Sequence, residues 1–177
     1  MSDAVLLNRR LTETAYNWIT ETRNCRMSRR DRYTQKLQTA LAQVRQVYAD
    51  LAQRPIQRNC MRKTECCHFK LTGRTPYLTK GEALIAVKAL RATGRKSLPE
   101  NVDESCPMLQ PETGNCLIYE DRPFGCRTHF CAAAGGPIAR REVLDLIRRL
   151  EDVDLALNGD GAHPLQNAVA AALDEMR

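Results

Sequence analysis

Aromatic residues make up only 5% of this 177-residue chain. Single-stranded nucleic acid is gripped largely by aromatic rings that stack on bases, so their scarcity argues against that mode. Long apolar runs are missing as well. No stretch nears the roughly 20 residues of a membrane-spanning helix. The apolar part of Met1–Arg10 is too short for the core of a secretory signal. No glycine-rich nucleotide fingerprint follows a strand-like segment, and no Cys-x-x-x-Cys-x-x-Cys triplet of radical chemistry occurs. Internal repeats and low-complexity tracts are also lacking. A membrane protein is therefore excluded, and a self-sufficient methyltransferase is disfavoured. The expectation is a cytoplasmic chain in a reducing compartment, where disulfides are the weaker explanation for cysteines. Eight cysteines in 177 residues also fall below the density of secreted disulfide scaffolds.

What is present begins with charge. The net charge is +6, unevenly spread. Residues 1–60 carry 11 basic and 5 acidic side chains, residues 61–131 carry 11 and 8, and residues 132–177 carry 5 and 8. The basic N-terminal third is the surface that would meet an acidic partner, protein or nucleic acid. A solvated helix face is the plainer reading of the same charges.

Helical periodicity is clearest at the two ends. Val5, Leu6, Leu11, Ala15, Trp18 and Ile19 suggest a helix over 3–22. The apolar stripe Leu37, Ala40, Leu41, Val44, Val47, Tyr48 and Leu51 predicts a second over 29–53, stopped by Pro55. Thr79-Lys80-Gly81-Glu82 fits a capping box that opens a helix ending near Gly94. Pro137 suits the first position of a helix spanning about 137–157, closed by Gly159 and Gly161. Pro164 opens a last helix with Leu165, Val169 and Leu173 inward. Between these, Cys106-Pro107-Met108-Leu109, a turn at Gly114 and Cys116-Leu117-Ile118-Tyr119 predict a short β-hairpin.

Seven of the eight cysteines lie between positions 60 and 131: Cys60, Cys66, Cys67, Cys106, Cys116, Cys126 and Cys131. Thiolate is the soft donor that zinc and iron–sulfur clusters demand. The set points to a metal site, with buried apolar thiols as the bland alternative. Seven thiols exceed the four that a single zinc or a four-iron cluster needs. Neighbouring Cys66 and Cys67 leave the backbone in different directions and do not easily bind one ion. Three arrangements remain: one packs while the other ligates, the two serve different ions, or a reactive thiol accompanies the metal. His68 and His129 adjoin this set as further imidazole donors or as plain surface residues. Cys25 stands apart and reads as an ordinary thiol.

Cys60-x-x-x-x-x-Cys66-Cys67, Cys106-Pro107-x-Leu109 and the block Gly114-x-Cys116-x-Ile118-Tyr119-x-x-Arg122-Pro123-x-x-Cys126-Arg127 resemble the YkgJ-like cysteine-cluster family, whose domain is named for chelating zinc or iron. The resemblance covers about residues 60–131. The family often opens with Cys-x-x-Cys-x-x-Cys-Cys, and here Lys63 stands at the second cysteine. It implies Cys60, Cys66, Cys67, Cys106, Cys116 and Cys126 as ligands, with Cys131 added by proximity. Arg122 and Arg127 also match. A guanidinium beside thiolates would lower their pKa and offset the charge of a bound cofactor. A salt bridge tying the hairpin to a helix is the plain alternative.

The expected fold is mainly α: helices flanking a cysteine-rich, loop-dominated metal-binding core with a short β-hairpin. The expected division is an N-terminal helical hairpin at 1–57, the core at 58–135 and C-terminal helices at 136–177, all in one compact unit. The expected function is metal binding, zinc or iron including an iron–sulfur cluster, with a structural, metal-handling or redox role. Two alternatives stand beside it. One is a protein-modifying enzyme, because a flagellin lysine N-methylase group looks similar in its cysteine cluster. The other is an adaptor that uses the basic N-terminal helices.

Overall fold

The computed structural model describes residues 27–58, 60, 64–98, 105–110 and 112–177. The helix expected over 3–22, together with Cys25 and Lys63, lies outside the described residues. The fold is mainly α. By contacts the chain divides into two compact units, Met1–Gln38 and Thr39–Arg177.

Helix α1 spans Arg29–Ala52. In the first unit its start is closed by a reciprocal pair. The Asp31 amide donates to Ser28 Oγ at 3.1 Å, and the Ser28 amide donates to the Asp31 carboxylate at 3.3 Å. This satisfies a free donor of the first turn and places negative charge at the positive end of the helix.

In the second unit, Ala40, Leu41, Val44, Val47, Tyr48 and Leu51 of α1 are buried, the face that the sequence stripe marked. Short helix α2, Phe69–Thr72, follows a 3-10 turn at Glu65–Cys67. Strand β1, Tyr77–Leu78, leads into α3, Lys80–Ala92. Helix α4, Phe124–Thr128, carries Cys126. The chain then passes 3-10 turns at Ala132–Ala134 and Arg140–Glu142. Helix α5, Leu144–Ala156, strand β2, His163–Pro164, and helix α6, Leu165–Glu175, complete it.

Helix α3 is the centre of the packing. Residues 81–87 and Leu90 are all buried, so this helix has no wide polar face. Helices α5 and α6 pack on it. Strands β1 and β2 pair antiparallel, Tyr77 opposite Pro164 and Leu78 opposite His163. Their pairing pins the entry of α3 to the entry of α6, and the Leu165 amide extends it by donating to the Pro76 carbonyl at 2.9 Å. Buried Asp154 of α5 accepts from the Lys80 amide at 2.7 Å and the Gly161 amide at 2.9 Å, so it closes the first turn of α3 from outside.

Two sequence expectations change. The helix expected from Pro137 begins at Leu144. The Ile138 amide donates to the Thr128 carbonyl, and the Glu142 carboxylate accepts from the Ala139 amide, which holds 137–142 as an extended stretch and a 3-10 turn. At the far end Asn158, not Gly159, takes the left-handed conformation, with φ 55°. Gly159 is required for space instead, since a Cβ there would lie 2.4 Å from the Asp154 carboxylate.

Close packing also depends on Gly81. A Cβ built there would meet Val44 Cγ2 at 2.9 Å and Val153 Cγ1 at 3.3 Å. Val at this position would overpack the contact of α1, α3 and α5. Gly81→Val is expected to cost about 2–3 kcal/mol. Urea unfolding of the variant checks this, and an unchanged midpoint contradicts the packing described.

Candidate metal centre

The hairpin expected at 106–119 is tight and short. The Gln110 amide donates to Asn115 O at 2.8 Å, and the Leu117 amide to Met108 O at 2.8 Å. Gly114, at φ 66°, makes the turn. The ladder amounts to a single antiparallel bridge, Leu109 to Cys116. Cys106 and Cys116 are thus offset rather than opposite. Each sulfur instead accepts a backbone N–H two residues further on, Met108 for Cys106 and Ile118 for Cys116. Such donors aim a sulfur and favour its anion.

The other cysteines reach the same place from separate elements. Cys66 and Cys67 ride the 3-10 turn, with their sulfurs 3.9 Å apart. The Cys106 amide donates to the Cys67 carbonyl at 2.7 Å and docks that turn on the hairpin. Cys126 sits within α4. Together Cys60, Cys66, Cys67, Cys106, Cys116 and Cys126 line one cavity of about 160 Å³, with Arg122, His129, Met108 and Ile118 also on its walls. Cys131 does not line it, nor does His68. All seven described cysteines are free thiols, so none is tied into a disulfide. Among the described residues, no three His, Cys, Asp or Glu side chains already surround one point as metal ligands do. The sulfurs share a cavity wall; a cation would have to draw them inward.

Burial and neighbouring sulfurs set the electrostatics of these thiols. Burial pushes the Cys106 thiol up to about 12, and the neighbouring sulfurs Cys116 and Cys66 add to the rise. Burial also raises Cys116 and Cys126, and Cys126 feels Cys106, Cys116 and Cys66 as well. Cys66 and Cys67 act as a pair. Cys66 is pulled down because it accepts a hydrogen bond from Cys67, whose own proton is held more tightly. Four thiols thus hold their protons tightly around Cys66, the one sulfur whose ionisation its neighbour favours, and a cation among them would favour ionisation of all five.

Arg122 supplies a partial counter-charge. Its guanidinium lies 4.1 Å from the Tyr119 ring centroid, lines the cavity, and lowers the pKa of Cys66 and Cys116. Its Nε–H is buried and finds no acceptor among the described residues. Arg127 does something else. Its Nε donates to the Arg122 carbonyl at 2.7 Å, its Nη2 to the Glu120 carbonyl, and its guanidinium stacks 4.3 Å from the Tyr48 ring. It ties the turn before α4 to α1 and does not line the cysteine cavity.

Sequence reasoning missed the carboxylate that holds this assembly. Buried Glu82 was read as half of a capping box, and its carboxylate does accept from Thr79 N at 3.0 Å and Thr79 Oγ1 at 2.9 Å. It also accepts from the Phe124 amide, the first of α4, at 2.8 Å and from the Tyr48 hydroxyl at 3.4 Å. Two partners far away in sequence leave no local signal.

A family model described as "CxxCxxCC: Putative zinc- or iron-chelating domain" matches residues 59–145. These residues form a CxxCxxCC domain. The match runs from the residue before Cys60 into the first turn of α5 and takes in every cysteine that lines the cavity. In the register of the family's signature the chain reads Cys60, Lys63, Cys66, Cys67, so this CxxCxxCC domain keeps three of the four named cysteines. No curated protein and no solved structure matches the chain. No described helix is long and apolar enough to cross a membrane. An acidic partner at the N-terminal helices gains no support from the domain match or the described structure.

Proposed function

We propose that this chain binds zinc or iron in the cysteine cavity, through thiolates drawn from Cys60, Cys66, Cys67, Cys106, Cys116 and Cys126. One observation carries the reading: five separate places in the chain bring six thiols to one cavity wall. The donor set fits a thiophilic ion, since it is all sulfur, mutually repelling when ionised, and bordered by an arginine with an unused donor. Zinc would brace the loops; an iron–sulfur cluster would add one-electron chemistry. The chain's own contribution is to aim the sulfurs with the Met108 and Ile118 amides and to set the Arg122 charge beside them. Six thiols exceed the four of a structural zinc, which supports metal handling or a site of more than one ion over mere bracing. The reducing cytosol is the compartment that keeps such thiols available.

Elemental analysis of protein purified without oxygen tests this, together with its absorption spectrum. Zinc or iron near stoichiometric amounts is expected. A brown sample absorbing at about 400 nm means an iron–sulfur cluster, and a colourless zinc protein means the simpler site. Only traces of both metals would sink the reading.

A further inference from the structure

The sulfur wall borders two spaces. Cys66, Cys67, Cys106 and Cys126 also line a second, larger cleft of about 520 Å³. That volume lies within the range of small-molecule sites, about 300–1,000 Å³. Its other walls include Phe69, Pro76 and Tyr77, and Arg74 lies among them. Tyr77 is 59% exposed although it belongs to a strand, so its ring is an apolar surface left uncovered at the rim. No carboxylate lines the cleft, and Arg74 has no carboxylate partner among the described residues. Its charge is instead felt by His129, which borders both spaces.

The backbone holds this cleft in place. Gly73, at φ 61°, turns the chain out of α2 so that Arg74 follows directly. Gly125 lets α4 press against Pro76, since a Cβ there would lie 3.2 Å from the Pro76 ring. The Pro76 carbonyl is bonded to the first amide of α6. The arginine, the apolar walls and the sulfurs therefore stand on elements fixed to one another.

We propose that this cleft is a second ligand site, for a small molecule that sets a carboxylate or phosphate group on Arg74 and an aromatic or aliphatic part against Phe69, Pro76 and Tyr77, beside the sulfur wall. A guanidinium without a carboxylate recognises such an anion by paired charge-assisted hydrogen bonds. The groups that would hold the ligand, Arg74, Phe69, Pro76 and Tyr77, line this cleft and not the neighbouring cavity.

The test is a titration of the protein as purified, whatever metal it carries, with phenyl phosphate, benzoate and neutral phenol, followed by amide NMR. Phenyl phosphate or benzoate is expected to bind at millimolar concentration, and the tighter of the two identifies the anion class. Shifts should centre on the amides of Gly73, Tyr77 and Gly125. Phenol should bind about tenfold more weakly or not at all, and Arg74→Gln should weaken the anion by about tenfold or more. Arg74 is exposed and its side chain makes no hydrogen bond among the described residues, so this variant keeps the fold. Equal binding of phenol, an unchanged affinity in Arg74→Gln, shifts centred elsewhere, or no binding of either anion would overturn the proposal. Metal content measured on the same sample reports separately on the cysteine cavity, so failure of one reading leaves the other intact.

Discussion

Cys116→Ser is expected to purify with far less zinc or iron than the unaltered chain, whereas Cys131→Ser should keep most of its metal. Cys116 forms the one bridge of the hairpin and points into the cavity beside Cys66, Cys106 and Cys126. Serine keeps the shape but replaces a soft thiolate by a hydroxyl that stays protonated, so one strong ligand is lost. Even loss of an outer-shell contact costs roughly 10–100-fold in metal affinity, so loss of a ligand should cost at least that much. Cys131 lies outside the cavity walls and serves as the matched control. Because metal binding and folding are coupled, the Cys116 variant should also lose the melting-temperature gain that added metal gives the parent. Elemental analysis of both variants decides the matter. Equal metal in the two would show that the cavity is not the binding site.

The same sulfurs give a pH expectation. Burial holds the protons of Cys106, Cys116 and Cys126 above the ordinary thiol range. A bound cation must displace those protons, so affinity should fall steeply on acidification, with several protons taken up per metal released. A chelator-competition series across pH measures the slope.

Much of the architecture was readable from the chain. The stripe from Ala40 to Leu51 marked the buried face of α1, and Thr79 with Glu82 marked the start of α3, because periodicity and capping are local properties. The clustering of thiols marked the cavity for a similar reason: sulfur is a rare donor, and six of the seven gathered residues do line one space. Tertiary choices were not readable. Pro137 is an acceptable first helical residue, yet a bond from Ile138 to Thr128 keeps the chain extended past it. Arg122 and Arg127 sit five residues apart in one motif, yet one faces the thiols and the other the Tyr48 ring. The second cleft was hidden because Arg74 and Tyr77 precede α3 and carry no motif, and only the docking of α4 on Pro76 brings the sulfurs to them.

Glu82→Ala should be among the most damaging changes to the fold. Its carboxylate accepts from the amides of Thr79 and Phe124 and from two hydroxyls, all at one buried point that joins α1, α3 and α4. Alanine leaves two backbone donors without an acceptor, each costing about 1–3 kcal/mol, so a total near 3–4 kcal/mol is expected. For a chain of this length that is roughly a 10 °C fall in melting temperature. Phe124 is two residues from Cys126, so the loss should also reach the cavity and loosen metal. Glu82→Gln tests the charge separately. Burial raises the Glu82 carboxyl above its usual range, so the folded state holds the proton more tightly than the unfolded chain. The stability this contributes is full below the unfolded carboxyl's pKa and is lost as pH rises through the folded one. Glutamine cannot ionise, so its variant should show a flatter stability profile above the ordinary carboxylate range, while keeping an acceptor for the Phe124 amide. Denaturant unfolding at a series of pH values measures both effects. A Glu82→Ala protein as stable as the parent would mean that α4, and Cys126 with it, is held by packing alone.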